Sequence, residues 1–197
     1  MIKIFLDSIK LTLVLAIITG LIYPLVITGL ANIMFDDKAN GSLLYDQNHK
    51  VIGSKLIGQA FTSNKYFQGR PSRAGNGYDA LLSGGSNLGS TSQKLIEGNN
   101  NFDGIKQLAA KYRLVNRIDF TTKIPVEAVT ASASGLDPDI SYENAMLQAP
   151  RIASVRHLSQ NKVTDLIELN VQKRELGFIG EPRINVLILN LDLDKLP

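Results

Sequence analysis

The sequence predicts an α+β protein in which one N-terminal transmembrane helix precedes a single mixed α+β domain. Two observations carry this prediction. Residues 11–35 contain no charged side chain, and after residue 35 the helical and strand-like patterns are segregated rather than strictly alternating. We therefore expect three parts in the 197 residues: a short N-terminal tail (1–10), a transmembrane helix (11–35) and a soluble domain (36–197).

The uncharged stretch is long enough to cross a lipid bilayer. A helix of its 25 residues measures about 37 Å, which exceeds the roughly 30 Å of the hydrocarbon core. The alternatives are a buried core helix and a cleaved signal peptide, for which Gly29-Leu30-Ala31 resembles a cleavage site. The apolar region of a signal peptide is normally only about 7–15 residues long, so the length favours a permanent anchor.

A row of small, polar or helix-perturbing residues follows this helix at four-residue spacing. Membrane helices associate through close approach at small residues and through hydrogen bonds from Thr or Asn. The row therefore predicts a helix-packing face and a membrane partner, although Gly, Pro and Thr are also common in membrane helices generally. The residues of the row are Thr12, Ala16, Gly20, Pro24, Thr28 and Asn32.

The positive charges on the two sides of the helix give a weak indication of its orientation. Lys3 and Lys10 precede the uncharged stretch, and Lys38 is the nearest cation after it. Because cytoplasmic flanks carry an excess of Lys and Arg, this bias slightly favours a cytoplasmic N-terminus. The soluble domain is then expected to be extracytoplasmic.

Turn and capping residues predict the elements of the soluble domain. Apolar residues on both sides of Asp46-Gln47-Asn48 predict a hairpin within residues 41–61. Residues 69–101 are rich in Gly, Ser and Asn and show no regular period, which predicts an irregular, ordered stretch. A helix is predicted near 104–115, with Leu108, Tyr112 and Val115 on one face, and an extended segment at 124–130. A turn at 137–139 precedes a helix that runs from the cap Ser141 to Gln148, and Pro150 either ends this helix or starts the next one. The last predicted elements are a helix capped by Ser159 and a buried strand at 183–194.

One glycine-containing segment raises the question of nucleotide binding. Leu82 to Ser86 differ by one residue from the LSGGQ signature of ABC-type ATPases. Glycine can adopt positive φ and expose backbone N–H groups to an anion. The segment is therefore a candidate nucleotide contact or, as we prefer, a turn or interface loop. Its members are Ser83, Gly84, Gly85, Ser86 and Asn87.

The remaining motifs argue against chemistry by this chain alone. The phosphate-binding loop G-x-x-x-x-G-K-[ST] and the phosphorylated motif D-K-T-G are both absent, so we predict no ATP hydrolysis. There is no cysteine, no G-x-S-x-G elbow and no complete calcium loop at residues 137–148. Scattered Lys and Arg residues argue against nucleic acid. We predict no catalytic residues, no metal ligands and no tightly bound cofactor, with ATP as the one candidate ligand.

Several long stretches of the sequence form a recognisable set. They are "LIGQAFTSNKYFQGRPS" (56–72), "SGGSNLG" (83–89), "VTASASGLDPDIS" (129–141), "QAPRIA" (148–153) and "NVLILNLDLDKL" (185–196), together with "YP" at Tyr23-Pro24 and "NGSL" at 40–43. In this order they resemble KdpC, the C-subunit family of the Kdp-type potassium-transporting ATPases.

The resemblance implies a small single-pass subunit of a bacterial inner-membrane complex. A channel-like subunit of that complex carries potassium and a P-type subunit hydrolyses ATP. The C subunit is needed for assembly and activity, and the family is described as a catalytic chaperone that raises the ATP affinity of the hydrolytic subunit.

The location of ATP conflicts with a direct role of the glycine segment. ATP is cytoplasmic, whereas the family layout and the charge bias put the soluble domain outside. We therefore expect Gly84 and Gly85 to shape a packing surface. Two alternatives stay open: a nucleotide-binding regulator that uses Leu82 to Ser86 directly, and an anchored extracytoplasmic enzyme.

Overall fold

The computed structural model describes residues 1–46 and 48–197, and it has the predicted α+β class. One N-terminal apolar helix of membrane-spanning length is followed by a mixed domain of helices and two small sheets. The chain divides into two compact units, residues 1–52 and 53–197.

A continuous apolar helix from Ile2 to Met34 dominates the first unit. It consists of α1 (Ile2–Ile17), a π-helical turn (Ile18–Ile22) and α2 (Tyr23–Met34), and none of its residues is buried. The residues that we assigned to a short N-terminal tail (1–10) are helical from Ile2 onwards, so the helix begins before the uncharged stretch. Charged residues such as Lys3 and Lys10 end the stretch that suits hydrocarbon, but they do not end a helix.

Pro24 accounts for the π-helical turn. Proline has no N–H, and its ring collides with the carbonyl group four residues earlier, here that of Gly20. The N–H of Tyr23 bonds to the carbonyl oxygen of Ile18, five residues back, which widens the turn. Residues four apart advance by about 40° in an α-helix. The wider turn reduces this advance, so Ala16, Gly20 and Pro24 lie more nearly in line.

A short helix and a hairpin complete the first unit and lead into the second. The elements are α3 (Asp36–Ala39), β1 (Leu43–Tyr45) and β2 (Val51–Ser54), and the two strands form a two-stranded sheet. Their connection is too short for a parallel crossover, which confirms the predicted hairpin. The Asp46 carboxylate accepts bonds from the N–H groups of Asn48 (2.8 Å) and Lys50 (2.9 Å). Gln47 lies outside the described residues.

The second unit is built around three packed helices. Its elements are α4 (Gln93–Glu97), α5 (Ile105–Asn116), a 3₁₀ turn (Val126–Ala128), β3 (Asp139–Ile140), α6 (Tyr142–Arg156), α7 (Gln160–Leu169), β4 (Ile184–Asn185) and α8 (Val186–Leu193). β3 and β4 pair antiparallel, with Ile140 opposite Ile184. The core contains Ile152 of α6, Ile167 of α7 and Leu189 of α8, all fully buried.

Local sequence signals predicted several of these elements correctly. α5 lies where its periodicity placed it. Ser141 and Ser159 are the N-caps of α6 and α7, and their side chains accept bonds from Asn144 N–H and Lys162 N–H. Apart from α4, residues 69–101 contain no regular helix or strand.

Three predicted elements are wrong. Residues 124–130 contain a 3₁₀ turn rather than an extended segment, and the turn starts after Pro125, whose φ is −56°. Pro150 lies inside α6, which continues to Arg156 because its buried face compensates for the lost backbone bond. Residues 183–194 form a two-residue strand and then α8, whose first turn is capped by the Asn185 side chain. α8 is apolar on most sides, so its sequence has no polar face to reveal a helical period.

Side chains of α6 and α8 form hydrogen bonds with the backbone of Phe67 and Gln68. The Gln148 amide pairs with both backbone groups of Gln68, accepting from its N–H at 2.8 Å and donating to its carbonyl oxygen at 3.0 Å. The Asn190 amide does the same for Phe67, at 2.8 and 2.9 Å. Neither Gln148 nor Asn190 is more than 2% exposed.

Arg151 completes this arrangement as a buried cation. Its guanidinium donates to the carbonyl oxygens of Asn64 and Tyr66 and to the side-chain oxygens of Asn116 and Gln148. Burial lowers the pKa of Arg151 to about 10, so the group stays charged at neutral pH. In the part of the chain that the structure describes, Arg151 has no carboxylate partner; carbonyl and amide dipoles compensate its charge.

Replacing Gln148 with Leu tests this network. The change leaves the partly buried N–H and carbonyl groups of Gln68 without their side-chain partners, so we expect the free energy of unfolding to fall by about 1–3 kcal/mol. Urea unfolding of the detergent-solubilised chain measures the loss. Gln160→Leu, at an exposed position in the first turn of α7, is the matched control. Equal stability of the two variants would contradict the assigned role of Gln148.

Candidate subunit interface

The glycine segment packs against the loop of residues 132–135. The N–H of Gly84 donates to the carbonyl oxygen of Ser134 at 2.8 Å, and the Ser83 hydroxyl donates to the same oxygen at 3.0 Å. A Cβ atom on Gly85 would lie 3.0 Å from the carbonyl oxygen of Ala133. Because glycine has no Cβ atom, the backbone at position 85 can lie this close to the backbone of residues 132–133.

The geometry of this segment differs from that of an anion-binding nest. Neither Gly84 nor Gly85 has a positive φ, contrary to the turn we expected, whereas Asn87 does (51°). The Gly84 N–H is already bonded to protein. Ser86 is half-buried and Asn87 is exposed. The arrangement favours packing over phosphate binding, and a nucleotide contact by this segment stays a prediction.

Hydrogen bonds connect three loop segments, residues 70–78, 83–84 and 132–137, into one irregular layer. Ser72 is at its centre: its hydroxyl donates to the carbonyl oxygen of Gly135 at 2.6 Å and accepts from the N–H of Tyr78 at 2.7 Å. Arg70 forms an ion pair with Asp137, with 2.8 Å between Nη1 and Oδ2. The Tyr78 hydroxyl donates to the Arg70 carbonyl oxygen, and burial raises the pKa of Tyr78 to about 12. The phenol therefore stays protonated at neutral pH.

A groove of about 460 Å³ lies between this layer and α5. The predicted apolar face of α5 lines it with Leu108, Tyr112 and Val115, which confirms that these three residues share a face. Phe61 and Tyr78 are among the lining residues from the loops. The charged groups among the described lining residues are Arg70 and Lys111. Burial raises the pKa of Tyr112, whose hydroxyl donates to Asn144 Oδ1 at 2.7 Å.

Sequence reasoning missed the side chains that hold the edge of this groove. Gln148 and Arg151 fix residues 64–68, and Asn64 and Gln68 line the groove. The available signal was the polar pair Gln148 and Arg151, three residues apart on a helix whose other buried residues are Asn144, three alanines and one isoleucine. A buried polar group requires a partner, which marks such a pair as structural.

The residues of the predicted helix-packing row are all exposed. Thr12 and Ala16 belong to α1, Gly20 to the π-helical turn, and the other three to α2. The Thr12 hydroxyl donates to the carbonyl oxygen of Ser8 at 2.9 Å, and the Asn32 amide donates to that of Thr28 at 2.8 Å. These two donors are used within the helix. Whether another helix packs there stays a prediction.

The described residues contain no group of three His, Cys, Asp or Glu side chains that could hold a metal ion. The groove beside the packed loops and the exposed apolar helix are each features of surfaces that contact other molecules.

Comparison with known proteins identifies the family. A family model described as "KdpC: K+-transporting ATPase, c chain" matches residues 5–195. The chain belongs to the KdpC family. The resemblance seen in the sequence is thereby confirmed, and this chain is a KdpC subunit of the K⁺-transporting ATPase.

Individual KdpC relatives match over almost their whole length. A potassium-transporting ATPase KdpC subunit of Mycobacterium tuberculosis is 49% identical over 191 residues, which are 97% of each chain. Those of Koribacter versatilis and Caulobacter vibrioides are 47% and 51% identical, covering 98% and 90% of this chain and 94% and 86% of theirs. A KdpC subunit belongs to a complex of several subunits, so this chain is a membrane-associated protein with partner subunits.

A pair of glycine substitutions tests the packed-loop geometry. Gly135 has a φ of 68°, and a Cβ atom there would lie 2.5 Å from the carbonyl oxygen of Gly84, whereas Gly84 itself has open space. We expect Gly135→Ala to lower the free energy of unfolding by about 1–3 kcal/mol, because alanine must adopt a strained backbone against a neighbouring chain segment. Gly84→Ala is the control and changes it little. Thermal or urea unfolding of both variants measures the difference, and equal losses would contradict this geometry.

Proposed function

We propose that this chain is a non-catalytic accessory subunit of an ATP-driven, high-affinity potassium uptake pump. It is needed for assembly and stabilisation of the complex, and it acts as a catalytic chaperone that promotes ATP binding by the hydrolytic subunit. Its partners are a channel-like potassium-binding subunit and an ATP-hydrolysing subunit. The observation that carries the proposal is KdpC membership over residues 5–195 combined with an apolar helix of which no residue is buried.

The exposed helix supports an assembly role. Lipid is as apolar as leucine, so membrane helices associate through small residues that allow close backbone approach. Gly20 lies on the row at the π-helical turn, and a Cβ atom there would meet nothing within 4 Å in this chain. The space at Gly20 is thus available to a helix of another subunit.

The chaperone role is separate from direct nucleotide binding by this chain. The sequence has no phosphate-binding loop, and the Gly84 N–H is bonded to Ser134. We infer that the subunit acts on the ATP affinity of the hydrolytic subunit through contacts between subunits. ATP binding by the purified full-length chain at millimolar concentration would instead support the nucleotide-binding regulator that uses residues 82–86.

We propose a bacterial inner-membrane location with a cytoplasmic N-terminus and an extracytoplasmic soluble domain. Lys3 and Lys10 before the span support this orientation through the positive-inside rule. An extracytoplasmic domain meets the other subunits on the side opposite to ATP. Its influence on the hydrolytic site must then pass through the membrane-embedded part of the complex.

A bulky residue at Gly20 tests the assembly role. We expect Gly20→Leu to reduce copurification of the two larger subunits and potassium-stimulated ATPase activity at least tenfold, because the side chain fills the space that a neighbouring helix needs. Gly29→Leu makes the same change in the same helix, off the row and also in open space, and is expected to assemble normally. Circular dichroism verifies that both variants keep a folded soluble domain. Normal assembly of Gly20→Leu would contradict the packing face.

Cysteine labelling in intact cells tests the orientation. The chain has no native cysteine, and Ser90 is exposed. We expect a membrane-impermeant thiol reagent to label Ser90→Cys in intact cells, and to label Lys3→Cys only after the cells are permeabilised. The opposite pattern would place the soluble domain in the cytoplasm.

A further inference from the structure

The helix α5 has a second face, on the side opposite to the groove. Ala110, Arg113, Leu114 and Arg117 follow one another at the spacing i, i+3, i+4 and i+7, so they share one face of the helix. The three apolar residues of α5 that line the groove lie about 180° away around the helix axis. Arg113 is half-buried, and the other three residues are exposed. This face therefore presents two cations and a leucine to the surroundings.

Arg113 connects this face to the turn that follows α5. Its guanidinium donates to the carbonyl oxygens of Asp119 and Thr122, the latter at 2.8 Å, and its Cζ atom lies 5.8 Å from the centre of the Phe120 ring. Phe120 is 86% exposed and Leu114 is 80% exposed. Two large apolar side chains therefore lie in solvent beside the same cation.

Residues 111–123, which contain the end of α5 and this turn, carry an excess of positive charge. They contain two lysines and two arginines, but Asp119 is their one acidic residue, so their net charge is +3, as large as that of the whole chain. The next carboxylate along the chain is that of Glu127, which accepts a hydrogen bond from the Ser141 hydroxyl at 2.6 Å. It is thus engaged at the start of α6.

Three of these four cations have no ion-pair partner among the residues that the structure describes. They are Lys111, Arg117 and Lys123, and all three are exposed. Lys106, earlier in α5, does form an ion pair, with Glu97. The positive charge at the end of α5 is therefore available to an anionic partner.

A bilayer that contains anionic lipids matches this combination of side chains. Segments that bind a membrane surface place Lys and Arg near the phosphate groups, and Phe and Leu at the boundary with the acyl chains. The long side chains of Arg117 and Lys123 can reach phosphate groups while a ring such as that of Phe120 lies deeper. Because the chain is a membrane-associated subunit with an apolar helix of membrane-spanning length, a bilayer is a surface that its soluble domain has within reach.

We propose that the outer face of α5 and the turn of residues 119–123 dock on the surface of a bilayer that contains anionic phospholipids. Leu114 and Phe120 enter the boundary between headgroups and acyl chains, and Arg117 and Lys123 bind phosphate groups. This contact goes beyond the proposed accessory function and does not depend on it. It gives the soluble domain a second place of membrane attachment, in addition to the apolar helix.

Fluorescence quenching measures this contact in the full-length chain. The chain has no native cysteine and Thr121 is exposed, so Thr121→Cys can carry a single dye next to Phe120. The labelled chain is reconstituted into vesicles in which some lipids carry a nitroxide quencher on the headgroup. We expect quenching to be at least twofold stronger in vesicles of phosphatidylcholine and phosphatidylglycerol than in phosphatidylcholine alone. Salt at about 1 M is expected to remove the difference, because it screens the charges.

Charge reversal provides the matched comparison. The double variant Arg117→Glu/Lys123→Glu is expected to lower quenching in the anionic vesicles to the level found in pure phosphatidylcholine. Lys162→Glu/Lys173→Glu makes the same change of charge at two exposed positions outside this face, and is expected to retain the quenching. Circular dichroism verifies that both double variants are folded. Quenching that does not depend on the anionic lipid, or that survives the first double variant, would overturn the proposal.

A photo-reactive benzophenone side chain at position 120 identifies the occupant in the assembled pump in intact cells. Mass spectrometry of the adduct is expected to find a phospholipid. An adduct with an acidic segment of a larger subunit, or with a second copy of this chain, would overturn the lipid contact. The accessory function is tested separately: if Gly20→Leu prevents assembly while position 120 forms no lipid adduct, the lipid contact is wrong and the accessory function stands.

Discussion

The fold of the second unit depends on buried side-chain amide and guanidinium groups. They form hydrogen bonds with the backbone of residues 64–68, as a neighbouring strand would do in a β-sheet. Residues 64–68 are irregular and have no neighbouring strand, and several of their backbone groups are paired by Gln148, Asn190 and Arg151. Unpaired, these groups would each cost about 1–3 kcal/mol on burial. The network therefore allows an irregular stretch to lie directly on a helical core. The groove beside α5 and the loops around Ser72 take their positions from that stretch.

Because these contacts join residues that are distant along the chain, the sequence predicted some parts of the fold well and others poorly. Helix caps such as Ser141 and Ser159 and the amphipathic period of α5 are local signals, and the structure confirms them. α8 has no local signal, since burial on most sides removes the polar face that distinguishes a helix from a strand. Pro150 was misread for a related reason: its unfavourable local effect is outweighed by contacts that only the tertiary structure supplies.

The candidate interface shows a similar division between local and distant information. Residue spacing revealed the row from Thr12 to Asn32, but not the π-helical turn that changes how far the row winds around the helix. The glycines at 84 and 85 were recognised as unusual. The close backbone approach that requires a glycine at position 85 involves the loop at 132–135, which lies about fifty residues away along the chain. Family membership in turn supplies what geometry alone lacks, namely that this chain works beside other subunits.

Arg151 illustrates how the chemistry of a core can suit its surroundings. The groups that neutralise this cation are backbone carbonyl oxygens and side-chain amides, and none of them gains or loses a proton in ordinary acid. A carboxylate in their place would be protonated as the medium turns acidic, and the buried charge would then lose its compensation. This part of the scaffold therefore keeps its charge compensation over a wide range of acidity.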